Sequence, residues 1–167
     1  NPEFTMLEFY QAYADYNDLM QRTEDLFVQL GQTLLGRLDL TYQGEAISLA
    51  PPWRRLPFFT AIGDALGVAA APDTPSETLA RAAAARGAPL APGASVVDIW
   101  HEVFDRLIEP ALVQPTFITD FPIELSPLSK RKRDDPRLVD RFELYVCRRE
   151  LANAYSELND PIHHRPR

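Results

Sequence analysis

Apolar and polar residues alternate from Phe4 to Ala12, with Phe4, Met6, Glu8, Tyr10 and Ala12 on one face and Thr5, Leu7, Phe9 and Gln11 on the other. Both faces are largely apolar, which predicts a buried strand carrying Glu8 and Tyr10 side by side. From about Asp15 the period lengthens. Leu19, Leu26, Phe27, Leu30 and Leu34 recur at helical spacing, and Gly36 stands where a glycine commonly closes a helix. Residues 41–49, TYQGEAISL, read as a short hairpin or irregular strand, and Pro51-Pro52 punctuates the chain.

The texture changes from about residue 53 to 114, where Ala and Pro are abundant and three short helices are expected. The first runs from Phe58 to Leu66. The second starts at Thr74-Pro75-Ser76-Glu77, with Thr74 as cap, Pro75 in the first turn and Glu77 reaching back, and continues to Gly87. The third starts near Ser95, with Asp98 three residues on, and places Val96, Val97, Trp100, Val103, Phe104, Leu107 and Ile108 on one side. Strand-like pattern returns in TFITDFPIELSPL, residues 116–128, followed by the charged loop SKRKRDDPR.

The stretch Arg141–Pro161, RFELYVCRRELANAYSELNDP, sets Glu143, Glu150, Asn153 and Glu157 among apolar neighbours. Acids in such company need a partner, and a metal ion or cationic ligand supplies one. On a helix these four residues form one stripe. On two strands with a turn near Arg148-Arg149, Glu143 and Glu150 share a face, and Asn153, Tyr155 and Glu157 share the other unless a bulge intervenes. The turn lacks Gly or Asn, so spacing alone leaves both readings open. Arg148 and Arg149 are candidate ion-pair partners for the acids.

Composition narrows the class. A hydrophobic share of 46% and a charged share of 25% are those of a globular domain. No apolar run reaches membrane-span length. The single cysteine, Cys147, excludes an internal disulfide framework and fits a reducing compartment. A formal charge of −7 argues against a dedicated nucleic-acid-binding domain. The run Lys130–Arg133, followed by Asp134-Asp135-Pro136, has the composition of a solvated loop. The chain opens Asn-Pro-Glu-Phe without methionine and ends at His163-His164-Arg165-Pro166-Arg167, which reads as a fragment.

Several segments resemble the class II lysyl-tRNA synthetases: NPEFTMLEFYQAYADY at Asn1–Tyr16, the Thr23-Glu24 pair, PTFI at Pro115–Ile118, P-x-E-x-SPL at Pro122–Leu128, and RFEL…E-x-x-NA-x-x-ELNDP at Arg141–Pro161. They make up roughly half of the chain, in the family's order. The resemblance implies an α+β fold: an antiparallel sheet flanked by helices, incomplete here, with a small helical insertion. It divides the chain into residues 1–52, first part of the catalytic core; 53–114, the insertion; and 115–167, the second part. It also favours the hairpin for residues 141–158.

What the resemblance implies about chemistry is ATP-dependent activation of L-lysine to lysyl-adenylate and transfer to tRNA(Lys), in a cytoplasmic homodimer with no membrane contact. Glu143 and Glu150 match residues that hold Mg2+ and the ATP phosphates, Phe4 an adenine-stacking aromatic, and Asn1 a neighbour on the base. Glu8, Tyr10, Asn153 and Glu157 match the lysine pocket. No residue is assigned to catalysis apart from binding. The arginine-bearing parts of the family's second and third motifs lie outside these residues, so the isolated chain is expected to be inactive. Two alternatives stand beside this reading: a paralogue that lysylates elongation factor P, from which YADY and ELNDP depart, and a truncated, non-catalytic binding module.

Overall fold

The computed structural model describes residues 2–165, apart from the side chain of His163. Asp15 starts the first helix. Its carboxylate accepts from the N–H groups of Asn17 and Asp18 at 2.7 and 3.2 Å, and Asp18 accepts from the Asp15 N–H at 2.8 Å. This reciprocal box satisfies donors that a helix end otherwise leaves unpaired. Helix α1 (Tyr16–Leu30) runs into a π-helical turn (Gly31–Leu35) and stops at Gly36, whose φ of 65° suits glycine. Its buried face is Tyr16, Met20, Thr23 and Glu24, whereas Leu30 and Leu34 of the expected apolar stripe are exposed. Polar groups replace leucines there because each is bonded. The Thr23 hydroxyl donates to the Leu19 carbonyl at 2.7 Å, and Glu24 Oε2 accepts the Trp53 N–H at 2.9 Å.

Strands β1 (Asp39–Tyr42) and β2 (Glu45–Ser48) form the expected hairpin. Its turn residues Gln43 and Gly44 both have positive φ, 50° and 86°, the geometry that matches strand twist. The main sheet has the order β3 (Arg54–Pro57), β4 (Thr116–Thr119), β5 (Arg141–Val146), β6 (Arg149–Tyr155). β4, β5 and β6 form the expected antiparallel sheet, and β3 joins β4 in parallel at its edge. Parallel neighbours need a long crossover. Helices α2 (Phe58–Leu66), α3 (Ser76–Ala85) and α4 (Val96–Val103) provide it. Residues 54–57, read from sequence as the start of the helical section, are therefore a strand of the sheet.

Ser95 and Asp98 make the expected capping box of α4, with bonds of 3.2 and 2.8 Å. Thr74 does not cap α3. Its hydroxyl accepts the Ala71 N–H at 2.8 Å, closing the preceding turn, and Pro75 takes the cap position. α3 ends at Ala85, before Gly87. One core joins α2–α4 to the sheet through Phe58, Trp100, Phe104, Ile118 and Tyr145. The other lies beneath α1 and the β1–β2 hairpin and contains Met20, Trp53, Phe117, Phe142 and Leu144. Each large side chain so buried contributes on the order of 1.5–3 kcal/mol.

The segment before α1 departs from expectation. Residues 4–12 form no strand among the described residues, and Phe4, Met6, Leu7 and Tyr10 are exposed. Alternation prescribes which side chains share a face, but a strand also needs a ladder for its backbone groups. Among the described residues, β6 is an edge strand of the sheet and pairs with β5. A short helix α5 (Pro161–His164) follows the sheet, and among the described residues no helix is long and apolar enough to cross a membrane.

Candidate functional site

The hairpin β5–β6 is built by a turn at Cys147 and Arg148, one residue earlier than the Arg148-Arg149 expectation. Both residues have positive φ, 51° and 62°. The turn is held from outside. Cys147 and Arg148 donate backbone N–H bonds to the Val113 and Leu112 carbonyls at 2.9 and 2.8 Å, and Arg148 Nε donates to the Pro110 carbonyl at 2.8 Å. Tertiary bonds thus replace the Gly or Asn that a free turn requires.

A register shift between Leu144 and Tyr145 decides which acids meet. Tyr145 is opposite Glu150, Leu144 is opposite Ala152, and Glu143 is opposite Asn153, so Leu151 is the extra residue of a bulge. Directly opposed residues share a face. The bulge therefore brings Glu143, Tyr145, Glu150, Asn153 and Tyr155 onto one side, together with Arg141. Without it, Asn153 lies on the side of Phe142 and Leu144, against α1.

Glu143 is 9% exposed, and each of its carboxylate oxygens has one partner. It pairs with the Arg141 guanidinium and accepts the Tyr145 hydroxyl at 2.8 Å. Arg141 also donates to Asn153 Oδ1 at 3.2 Å, to the Leu125 carbonyl at 2.8 Å and to Ser126 Oγ at 2.9 Å, while stacking on Phe121. Burial and then the Glu143 charge push the Tyr145 phenol up. Burial, followed by repulsion from Glu143, pushes the Glu150 carboxyl up as well, against the opposing pull of Arg141 and an Asn153 hydrogen bond. Glu109 is raised by burial and by Asp105 and Glu143. A cation beside Glu143 and Glu150 relieves this repulsion, and their hard oxygens suit a divalent ion held jointly with a ligand's phosphates. Each carboxylate keeps lone pairs beyond those already used. Among the described residues no three His, Cys, Asp or Glu side chains form a ready cage.

A cavity of about 760 Å³ opens beside this face. Its walls include Glu8 and Tyr10 from the first segment, Asp15 and Tyr16 at the start of α1, Lys130 and Lys132 from the basic loop, and Asn153, Tyr155 and Glu157 from β6 and beyond. Its size is that of a small-molecule site. The Tyr10 hydroxyl donates to Glu8 Oε1 at 3.0 Å; that bond and the Glu8 charge, with a contribution from Glu157, raise the phenol's pKa. Negative potential thus gathers at one end. Asn153 links the two regions: it lines the cavity, stands opposite Glu143 and accepts from Arg141.

The structure accordingly brings Glu8, Tyr10, Asn153 and Glu157 to one cavity and Glu143 and Glu150 to one sheet face. Phe4 joins neither; it is 75% exposed, and Asn1 lies outside the described residues. Arg148 pairs with Glu45 at 2.6 Å rather than with Glu143 or Glu150. The partner of Glu143 is Arg141, whose spacing of two on a strand was the available signal. Lys132 was also missed. It is no solvated loop residue: its ammonium is 2.8 Å from both Asp120 Oδ1 and the Tyr16 hydroxyl.

Across residues 1–167 the chain matches the family described as tRNA synthetases class II (D, K and N). A protein of Carboxydothermus hydrogenoformans named lysine–tRNA ligase is 48% identical over 168 residues, covering 100% of this chain and 34% of that protein. One of the same name from Pelotomaculum thermopropionicum is 49% identical over 97% of this chain and 32% of its own length. Another, from Moorella thermoacetica, is 47% identical over 100% of this chain and 34% of its own. The chain thus spans 32–34% of the length of these curated relatives.

Proposed function

The chain belongs to the class II tRNA synthetase family of D, K and N enzymes, and from that premise we propose that it carries the lysine pocket and the metal–phosphate acids of a lysine–tRNA ligase. The observation that supports this reading is the meeting of Glu8, Tyr10, Asn153 and Glu157 around one cavity. Glu157 and Glu8 receive the lysine ε-ammonium, and Tyr10 orients Glu8 through its 3.0 Å hydrogen bond. Asn153 positions the substrate from the β6 wall. Neutral or shorter side chains are rejected because they leave these acids without a charge partner.

Glu143 and Glu150 hold Mg2+, which when bound supplies positive charge to the ATP phosphates. Arg141 keeps Glu143 in place through its ion pair and fixes Asn153 through its 3.2 Å bond. One guanidinium thereby sets the relative position of the amino-acid and phosphate sites, as an in-line approach of carboxylate to α-phosphate requires. Phe4 offers its open ring to adenine, with Asn1 as a neighbour on the base. The wider proposal includes transfer to tRNA(Lys), a homodimer, and a cytoplasmic location. The test is lysine-dependent exchange of pyrophosphate into ATP by the full polypeptide that the gene encodes. Exchange stimulated by lysine alone among the amino acids is expected; exchange driven by another amino acid, or none, refutes the assignment.

A further inference from the structure

The basic loop Lys130–Arg133 is the motif that the lysine and phosphate sites leave unexplained. Its side chains do not behave alike. Lys130 and Arg133 are exposed, whereas the Lys132 side chain is 16% exposed and the Asp120 side chain that it meets is 19% exposed. The Lys132 ammonium donates to Asp120 Oδ1 and to the Tyr16 hydroxyl, both at 2.8 Å, and sits 5.1 Å from the Tyr16 ring centroid. The Tyr16 hydroxyl donates in turn to Asp120 Oδ1 at 2.8 Å. Asp120 is itself fixed, at φ 58°, by its N–H bond to the Arg141 carbonyl at 3.1 Å and by the Thr119 hydroxyl at 3.1 Å. Burial works against the lysine charge, yet the bonds to Asp120 and Tyr16 outweigh it and hold the ammonium above its ordinary value.

The loop has a direct mechanical link to Glu157. The Lys130 N–H donates to the Ser156 carbonyl at 2.8 Å, Ser129 forms a bridge with Glu157, and the Leu158 N–H donates to the Leu128 carbonyl at 3.0 Å. Residues 128–130 therefore bracket Glu157 on both sides. On the opposite wall, Tyr16 opens α1 immediately after the segment that carries Glu8 and Tyr10. The cavity is thus framed by two pieces of chain that are far apart in sequence and joined at the Lys132–Asp120–Tyr16 junction.

We propose that Lys132 is a positioning residue for the lysine cavity, holding the loop that frames Glu157 against the start of α1 through Asp120 and Tyr16. The proposal rests on the cavity's assignment to lysine. A cation in the wall of an ammonium pocket is tolerable only when its charge is already answered, and Asp120 answers it. Loss of the bridge loosens the spacing between Glu157 and the Glu8–Tyr10 pair while leaving Glu143, Glu150 and their contacts in place. Its effect therefore falls on lysine and not on ATP.

The experiment is steady-state pyrophosphate exchange by the full polypeptide that the gene encodes, with lysine and ATP varied separately. For Lys132→Met the KM for lysine rises about tenfold, while the KM for ATP and kcat stay within about twofold. Lys132→Arg, which keeps the charge, recovers at least half of that loss on a logarithmic scale. Tyr16→Phe removes one hydroxyl without touching the charge and raises the lysine KM by about threefold, which keeps the idea testable if Lys132→Met misfolds. An unchanged lysine KM in both variants overturns the proposal, as does an equal rise in both KM values. Absence of lysine-dependent exchange in the unsubstituted protein refutes the lysine assignment instead, before Lys132 is examined.

Discussion

The β5–β6 hairpin and the segment from Phe4 to Ala12 carry the same alternation of side chains, yet one is woven into a sheet and the other lies open. The hairpin brings its own partner strand and takes turn support from Leu112 and Val113. The first segment has no ladder among the described residues, so Phe4 and Tyr10 stay exposed despite a pattern suited to burial. Amphipathic pattern specifies which side chains travel together; burial depends on whether a backbone partner exists. Both regions nevertheless deliver residues to one cavity, Glu8 and Tyr10 from the open segment and Asn153 and Glu157 from the closed side.

The largest contrast between the two regions is in stability. Phe142→Ala removes a fully buried ring that meets Phe117 edge to face, with ring centroids 5.1 Å apart, and the expected cost is about 3–5 kcal/mol in urea unfolding. Phe4→Ala in the open segment is expected to change stability by no more than about 0.5 kcal/mol. Equal costs for the two substitutions mean that Phe4 is buried in solution and that the contrast is false. Next in size is Glu157→Gln, expected to lower kcat/KM for lysine by about 100-fold through loss of the charge partner of the substrate ammonium. Tyr10→Phe, which frees Glu8 from its hydrogen bond, is expected to raise the lysine KM by about tenfold. In both cases exchange kinetics with lysine varied give the answer.

The smallest effect concerns Glu150. Burial and the Glu143 charge raise its carboxyl pKa in the fold. A carboxyl raised by folding binds its proton more tightly in the native state, so stability is highest below its unfolded pKa and declines as pH rises through the raised value. Glu150→Gln removes that decline. Chemical unfolding across the acidic range should show a flatter stability profile without loss of stability at neutral pH, together with a weaker affinity for ATP. A steeper profile in the variant contradicts the like-charge pairing of Glu143 and Glu150.

Much of the fold was legible because its signals are local. The Asp98 partner of Ser95, the Gly36 stop and the hairpin around residues 41–49 are each set within a few residues. The candidate residues of the cavity came from motif resemblance, and strand parity set Asn153 on the face opposite that of Glu143 unless a bulge intervened. That bulge lies at Leu144/Tyr145, and nothing within β6 announces it, because the turn is held from residues 110–113. Lys132 was hidden for a related reason. Its partners, Asp120 and Tyr16, are distant in sequence, so it read as part of a solvated loop. The parallel β3–β4 pair belongs in the same class, since a crossover of three helices separates its strands.

The central claim is that Glu8, Tyr10 and Glu157 read the terminal ammonium of a lysine. Calorimetric titration of the full polypeptide with L-lysine and with L-norleucine, which keeps the chain length but lacks the ammonium, tests it most directly. Saturable lysine binding at least about 100-fold tighter than norleucine, with the gap collapsing in Glu157→Gln, is the predicted result. Equal affinity for the two amino acids, or an undiminished preference for lysine in Glu157→Gln, contradicts it.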